Sequence, residues 1–198
     1  MRRLVLLFMS LCLAFSLASC QLLRPHSLVY QVTGGSYQLN TGWPGKPQQL
    51  LQQVQFKSAN TNHEFLLSVQ LQAEQLLLVA LSPVGHELWR VQLTADGQLQ
   101  HQGIAPFSER AFALRLLAEM QWSLWPVAQV SPNLQGLQLT EKAGVRQVFG
   151  IAGSHVGSQH QQPILQISGG GVPVVGQVTV LQQADYQLTL TTLEQDFL

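Results

Sequence analysis

From residue 50 onward, apolar and polar side chains alternate in short runs separated by turn-forming residues. Residues 53–57 read Gln-Val-Gln-Phe-Lys, and in 64–72 Phe65, Leu67, Val69 and Leu71 share one face, with Ser68, Gln70 and Gln72 on the other. A period of two marks a half-buried strand. Residues 75–81 are apolar on both faces, and 87–93 set Trp89, Val91 and Leu93 against Arg90 and Gln92. Asp96-Gly97 predicts a tight turn into a short strand near Leu99. One segment changes period. Ser108 is the predicted N-cap after Pro106, with Glu109 in the first turn, where the helix dipole favours an acid. Phe112, Leu116, Met120 and Leu124 then recur every four residues, joined by Ala113, Leu117 and Trp122. That spacing lays one apolar stripe along a helix, which Pro126 ends. Strands resume at 136–140, 146–151, 163–167, 177–182 and 186–191, with turns at Ala143-Gly144, Gly169-Gly170-Gly171 and Ala184-Asp185. Roughly nine or ten strands with one central helix, and no strand–helix alternation, argue against a parallel sheet. The expected fold is mainly β with one or more helices: a large antiparallel sheet, curved and partly closed over the helix.

The first 49 residues follow other rules. Met1-Arg2-Arg3 is a basic start, residues 4–15 are almost unbroken apolar, and Leu17-Ala18-Ser19-Cys20 follows. This is the three-part pattern of a secretory signal. An ordinary membrane anchor fits less well, because the apolar run from Leu4 to about Ala18 is short of the ~20 residues that span a bilayer. Residues 21–49 carry Pro25, Gly34, Gly35, Gly42, Pro44, Gly45 and Pro47. That punctuation argues against a helix and suggests a tether. The expected organisation is therefore a signal over 1–19, an N-terminal tether over 20–49, and one domain over 50–198.

Small residues before a cysteine make this leader resemble those of bacterial lipoproteins, whose lipobox has the form Leu-Ala/Ser-Gly/Ala-Cys. The resemblance implies a diacylglycerol thioether on Cys20, cleavage before it and an N-terminal acyl chain. Two or more chains anchor a protein stably where one does not. In that family an Asp after the cysteine retains the protein at the inner membrane; here the residue is Gln21, which implies the periplasmic face of the outer membrane. Both cysteines, Cys12 and Cys20, are then accounted for, and no disulfide is left.

Charge narrows the partners. Basic and acidic residues number 10 each, and charged residues make up 10% of the chain. Losing Arg2 and Arg3 with the leader leaves a slight acidic excess. No basic stripe suits nucleic acid, and no polybasic patch suits anionic lipid. A chain with scarce charge and 46% hydrophobic residues is suited to an apolar partner.

Motifs for catalysis are weak. His26, His63, His86, His101, His155 and His160 show no i, i+4 pair, and no thiol remains as co-ligand, so they read as surface residues. No metal or other cofactor is expected. Gly153-Ser154-His155-Val156-Gly157 lacks the Gly-x-Ser-x-Gly order of a hydrolase elbow. Ser168-Gly169-Gly170-Gly171 lacks the Lys-Ser/Thr ending of a phosphate loop. Ser82-Pro83-Val84-Gly85 makes a turn with Val84 at its tip, the remaining candidate site and an apolar one; the alternatives are that Val84 folds back onto the core or is one more scattered apolar surface residue.

The order of elements resembles LolB-like outer-membrane lipoproteins, a family that receives lipoproteins from the periplasmic carrier LolA. The stretch that carries the resemblance is Leu76-Leu77-Leu78-Val79-Ala80-Leu81-Ser82-Pro83-Val84-Gly85-His86-Glu87-Leu88, followed by Trp122-Ser123-Leu124-Trp125-Pro126 at the helix end. The chain is similar also to LolB-like lipoproteins encoded in places beside aryl polyene synthesis genes. The resemblance implies an open, half-closed antiparallel β-barrel of LolA/LolB type, lidded by helices over a hydrophobic cavity. It implies a membrane-touching turn at Pro83, Val84 and Gly85, with Val84 smaller than the family's leucine. The expected cavity lining is Phe65, Leu67, Val69, Leu78, Trp89 and Val91 from the sheet and Phe112, Leu116 and Met120 from the helix. Expected partners are the membrane, through Cys20, lipid or lipoprotein acyl chains, and a LolA-like carrier. A buried CH₂ is worth ~0.8 kcal/mol, so a 16-carbon chain gains up to about 13 kcal/mol on leaving water; crossing an aqueous space requires a shelter of that kind. The function expected is binding of the acyl part of a lipidated cargo and its delivery to the outer membrane. A non-enzymatic scaffold that holds a partner protein is the alternative, and a lipid hydrolase using Ser154 the third.

Overall fold

The period-two runs pair as successive hairpins. A computed structural model describes residues 28–105, 107–151 and 162–198; Cys20 and the leader, His26, Ser154, His155 and His160 lie outside them. Ten strands form one antiparallel sheet: β3 (Gln48–Ser58), β4 (Thr61–Leu71), β5 (Gln75–Leu81), β6 (Glu87–Thr94), β7 (Leu99–Gly103), β9 (Leu137–Lys142), β10 (Val145–Gly150), β11 (Leu165–Ser168), β12 (Val178–Gln182) and β13 (Tyr186–Phe197). Their order is β7-β6-β5-β4-β3-β13-β12-β11-β10-β9. A smaller sheet holds β1 (Val29–Val32), β2 (Gly35–Gln38) and β8 (Leu134–Gln135). The helix expected over the four-residue repeat is α1 (Arg110–Leu124), followed by the single turn α2 (Val127–Val130). Among the described residues β7 and β9 stand at the edges, and the sheet does not close on itself.

Alternation puts the core on one face of the large sheet. Leu67, Val69 and Leu71 of β4, Leu76, Leu78 and Ala80 of β5, and Trp89, Val91 and Leu93 of β6 are all buried there. The sheet must curve around α1. Strands β6 and β10 are seven places apart, about 34 Å in a flat sheet at ~4.8 Å per strand. Yet Trp89 of β6 packs edge-on against Phe112 near the start of α1, and Arg146 of β10 bonds carbonyls at its end. Twelve residues of helix cover only about 18 Å.

Two expectations are corrected. Residues 28–49 are not a free tether from Leu28 onward. Leu28, Tyr37, Leu39 and Trp43 are buried in the core, and β1 and β2 pair through a two-residue turn. Strands of four residues are too short to display a period, so their Gly and Pro read as linker when they are turns. The Tyr37 hydroxyl donates to Gln121 Oε1 at 2.8 Å, the Asn40 N–H donates to the same oxygen at 2.9 Å, and Gln121 Nε2 donates to the Asn40 carbonyl at 2.8 Å. This segment clamps the back of α1. Second, the cap of α1 is Glu109, in extended conformation and without a side-chain cap bond, rather than Ser108. The end falls where expected: Trp125 is extended (φ −71°, ψ 149°), the conformation a following proline imposes.

Helix α1 is buried on two sides, which one apolar stripe does not describe. Trp122 packs between Tyr30 and Tyr37 of the small sheet at 5.8 and 5.5 Å, with Leu117 and Ala118 also fully buried. The expected stripe residues Phe112, Leu116 and Met120 are half-buried. Leu116 and Met120 face the large sheet.

Candidate functional site

The inner face of the sheet and the stripe of α1 do not meet completely. Between them lies a cavity of ≈ 60 Å³. Leu67 and Val69 of β4 and Leu78 of β5 form one wall, because alternation aims them inward. Leu116 and Met120 form the opposite wall. Leu181 of β12 and Leu188 and Leu190 of β13 complete it. Leu116, Met120, Leu188 and Leu190 are only half-buried, so the space meets solvent along the seam between α1 and β13.

Polar atoms at the rim are engaged with one another. Glu119, 4% exposed, accepts from Arg115 Nε at 2.8 Å, Gln183 Nε2 at 2.9 Å and the Tyr186 hydroxyl at 2.6 Å. The Arg115 guanidinium also lies 4.4 Å from the Tyr186 ring centre, within cation–π range. These bonds cross the seam from α1 to the turn between β12 and β13. Burial, together with the adjacent Glu119 carboxylate, pushes the Tyr186 hydroxyl well above the ordinary tyrosine range. On the floor, Gln52 Nε2 donates to Thr192 Oγ1 at 3.2 Å. What faces the empty space is therefore mostly hydrocarbon.

The two ends of the site are closed differently. Phe65, Trp89, Phe112 and Phe107 stack in a chain of ring contacts at 6.2, 5.4 and 5.2 Å. They plug the end where β5 turns into β6. At the other end the last carbonyls of α1 are held by Arg146, whose Nη1 donates to Trp122 O at 3.0 Å, Ser123 O at 2.8 Å and Trp125 O at 2.8 Å. Its Nε donates to Glu141 at 2.9 Å. A cation against unpaired terminal carbonyls is favoured by the helix dipole. Trp125 meets Trp43 edge-on at 4.8 Å beside it.

Of the nine residues expected to line a cavity, Leu67, Val69, Leu78, Leu116 and Met120 do so. Phe65, Trp89 and Phe112 belong instead to the plug, and Val91 is fully buried. Big rings fill the space that aliphatic side chains leave open. The residues sequence reasoning missed are Leu181, Leu188 and Leu190, although the alternation that located β12 and β13 also aims them inward. Glu119 and Ser123 gave no signal, being polar residues between apolar positions of a helix. Val84 does not fold back: it is 79% exposed at the tip of the β5–β6 turn.

Among the described residues no helix is long and apolar enough to cross a membrane, and no three His, Cys, Asp or Glu side chains gather as a metal ion requires. No curated protein is similar enough to match the chain. Residues 49–194, from β3 into β13, match the model of a family described as a protein of unknown function (DUF3261), and with most of its length inside that match the chain belongs to this family.

Proposed function

We propose that the protein is a lipid-anchored protein of the outer membrane that takes up the acyl part of a lipidated cargo between its sheet and α1, in the manner of LolB-like lipoproteins. The open sheet is then the half-closed barrel of that type, α1 is its lid, and Cys20 carries the anchor. The observation that carries the reading is the apolar cavity with a mouth along the α1–β13 seam. Its volume of ≈ 60 Å³ is less than half the ~150 Å³ that houses a benzene ring. Uptake of an alkyl tail therefore requires the cavity to widen. Two features favour widening at the seam. Met120 and Leu116 reach across it as adaptable side chains without polar partners, and methionine repacks readily. The back and the end of α1, by contrast, are pinned by Gln121 and Arg146. In this reading the bonds from Glu119 and Arg115 to Tyr186 and Gln183 act as a latch. The turn at Pro83, Val84 and Gly85 is left free to meet a LolA-like carrier. No bond-making step is part of this reading.

The test is titration of the unlipidated protein, beginning at Gln21, with a fluorescent 16-carbon acyl probe. Saturable one-to-one binding is expected, lost in Met120→Asp when the circular dichroism of the fold is kept. Absence of saturable binding in the parent contradicts the reading. The small volume of the cavity favours a second reading, a scaffold lipoprotein that holds a partner protein. A stoichiometric protein partner, captured by a chain that binds no acyl probe, selects it.

A further inference from the structure

The strands of the large sheet run antiparallel throughout, so each turn belongs to one of two ends. The β5–β6 turn with Val84 lies at one end, and the β6–β7 turn at Asp96-Gly97 lies at the other. The described chain starts at this second end, where the Leu28 side chain lies against Gly97. Parity down the sheet puts the loop between β11 and β12 at the same end, since β13 and β6 run one way and β12 the other.

That loop is apolar, exposed and fixed. Val172, Val174 and Val175 are 62%, 57% and 60% exposed, and Val178 at the start of β12 is also exposed. No charged residue falls in 169–184. The backbone is nonetheless tied to the body. Gly171 N–H donates to the Ser123 carbonyl at 2.8 Å and Gly176 N–H to the Thr192 carbonyl at 2.8 Å. Thr179 Oγ1 donates to the Gly169 carbonyl at 2.8 Å. At Gly169 (φ +73°) a Cβ would meet the Val178 carbonyl at 2.3 Å, so only glycine closes the loop base. Pro173 is turned inward, and the valines on either side of it face water.

We propose that this valine loop is the surface that rests on the lipid bilayer. The inference depends on the reading that Cys20 carries the membrane anchor. Cys20 precedes Leu28 by eight residues, a reach of at most about 29 Å even at full extension. The valine loop stands at the end where that tether leaves the domain. The Val84 turn stands beyond the whole of β6, eight residues or about 27 Å further. It meets the anchoring bilayer only if the tether is stretched to its limit along the protein. A fixed loop of exposed valines without charge costs hydration in a free-standing protein and loses that cost at a bilayer surface. A loop of this kind orients a protein that another group already anchors, and it turns the cavity's Val84 end away from the membrane.

The experiment uses the mature lipidated chain in vesicles of phosphatidylethanolamine and phosphatidylglycerol. A single environment-sensitive NBD dye is placed on Val174→Cys or on Val84→Cys, two exposed sites whose replacement is expected to leave the urea midpoint unchanged. At 174 the dye is expected to brighten severalfold and to be quenched by bromine-bearing lipid; at 84 it is expected to stay in water. A water-exposed dye at 174, or brightening at 174 without quenching by bromolipid, overturns the proposal, the second because a protein then covers the loop. Intact mass reports separately whether Cys20 is acylated. If it is not, the anchor reading fails by itself. The loop is then tested by holding the chain on nickel-chelating vesicles through a histidine tag ahead of Gln21, with the same two outcomes.

Discussion

The two ends of the sheet are built on opposite plans. At the Val84 end the interior is closed by stacked rings, and the exposed apolar side chains Val84, Ile104 and Ile151 sit on three separate segments. At the Gly97 end the helix terminus is locked by a buried cation and two tryptophans, and the surface carries a broad apolar loop. Rings held only by packing part at moderate cost; a guanidinium bonded to three carbonyls does not. In the proposed reading the contrast puts the fixed end of α1 at its C-terminus. If the helix moves to admit cargo, Arg146 and Trp125 stay and the Phe112 end swings.

The largest effect is expected from Trp125→Ala. Trp125 is fully buried, and such truncations cost about 3–5 kcal/mol. Urea unfolding is expected to show a loss of about 4 kcal/mol, and a loss under 1 kcal/mol would break the idea of a rigid end. Next comes Arg146→Met, which removes the donations to the Trp122, Ser123 and Trp125 carbonyls and leaves Glu141 without its partner; a loss of about 3 kcal/mol is expected. Phe112→Ala at the other end is expected to cost less, about 2 kcal/mol, since the ring is half-buried. The same change is expected to speed uptake of the acyl probe in stopped-flow mixing, whereas Arg146→Met is not. Equal acceleration by both would remove the hinge.

Alkaline pH tests the seam. Burial holds the Tyr186 and Tyr37 hydroxyls above the usual tyrosine value in the folded state. The folded protein therefore keeps protons that the unfolded chain gives up. This stabilisation is fully present below the unfolded value near pH 10 and is lost as pH rises toward the folded values. Unfolding free energies from urea titrations are expected to fall above pH 10, by up to about 1.4 kcal/mol per pH unit for each group, and Tyr186→Phe is expected to shallow that fall. The smallest effect belongs to Val84→Ser, expected to shift stability by less than about 0.5 kcal/mol, because its side chain touches little.

Much of this was legible because alternation is a strong signal where one face is buried. Every strand of the large sheet has its counterpart in the alternation, with the turns at Asp96-Gly97 and Ala143-Gly144, but β3 starts at Gln48 rather than 53 and β13 runs on to Phe197 rather than 191. The small sheet was not, since β1, β2 and β8 are too short to show a period and sit among glycines and prolines. The stripe Phe112, Leu116, Met120 and Leu124 found the face of α1 toward the cavity. Leu117 and Trp122 read as part of that one stripe, whereas with Gln121 they form a second, more deeply buried face; the polar residue at its centre hid it and finds its partners in Tyr37 and Asn40, some eighty residues away. Which apolar residues leave a gap and which fill it is a matter of side-chain volume in three dimensions. That is why Phe65 and Trp89 were expected at the cavity and are found in the plug.

The central claim is that hydrocarbon enters between α1 and the strands β12 and β13. A palmitic acid carrying a mid-chain diazirine, bound to the protein and photolysed, reports this by mass spectrometry of the labelled peptides. The account predicts label on Leu116 or Met120 and on Leu181, Leu188 or Leu190, reduced by excess unlabelled fatty acid. Label confined to Val172, Val174 and Val175, or scattered and insensitive to competition, would contradict it.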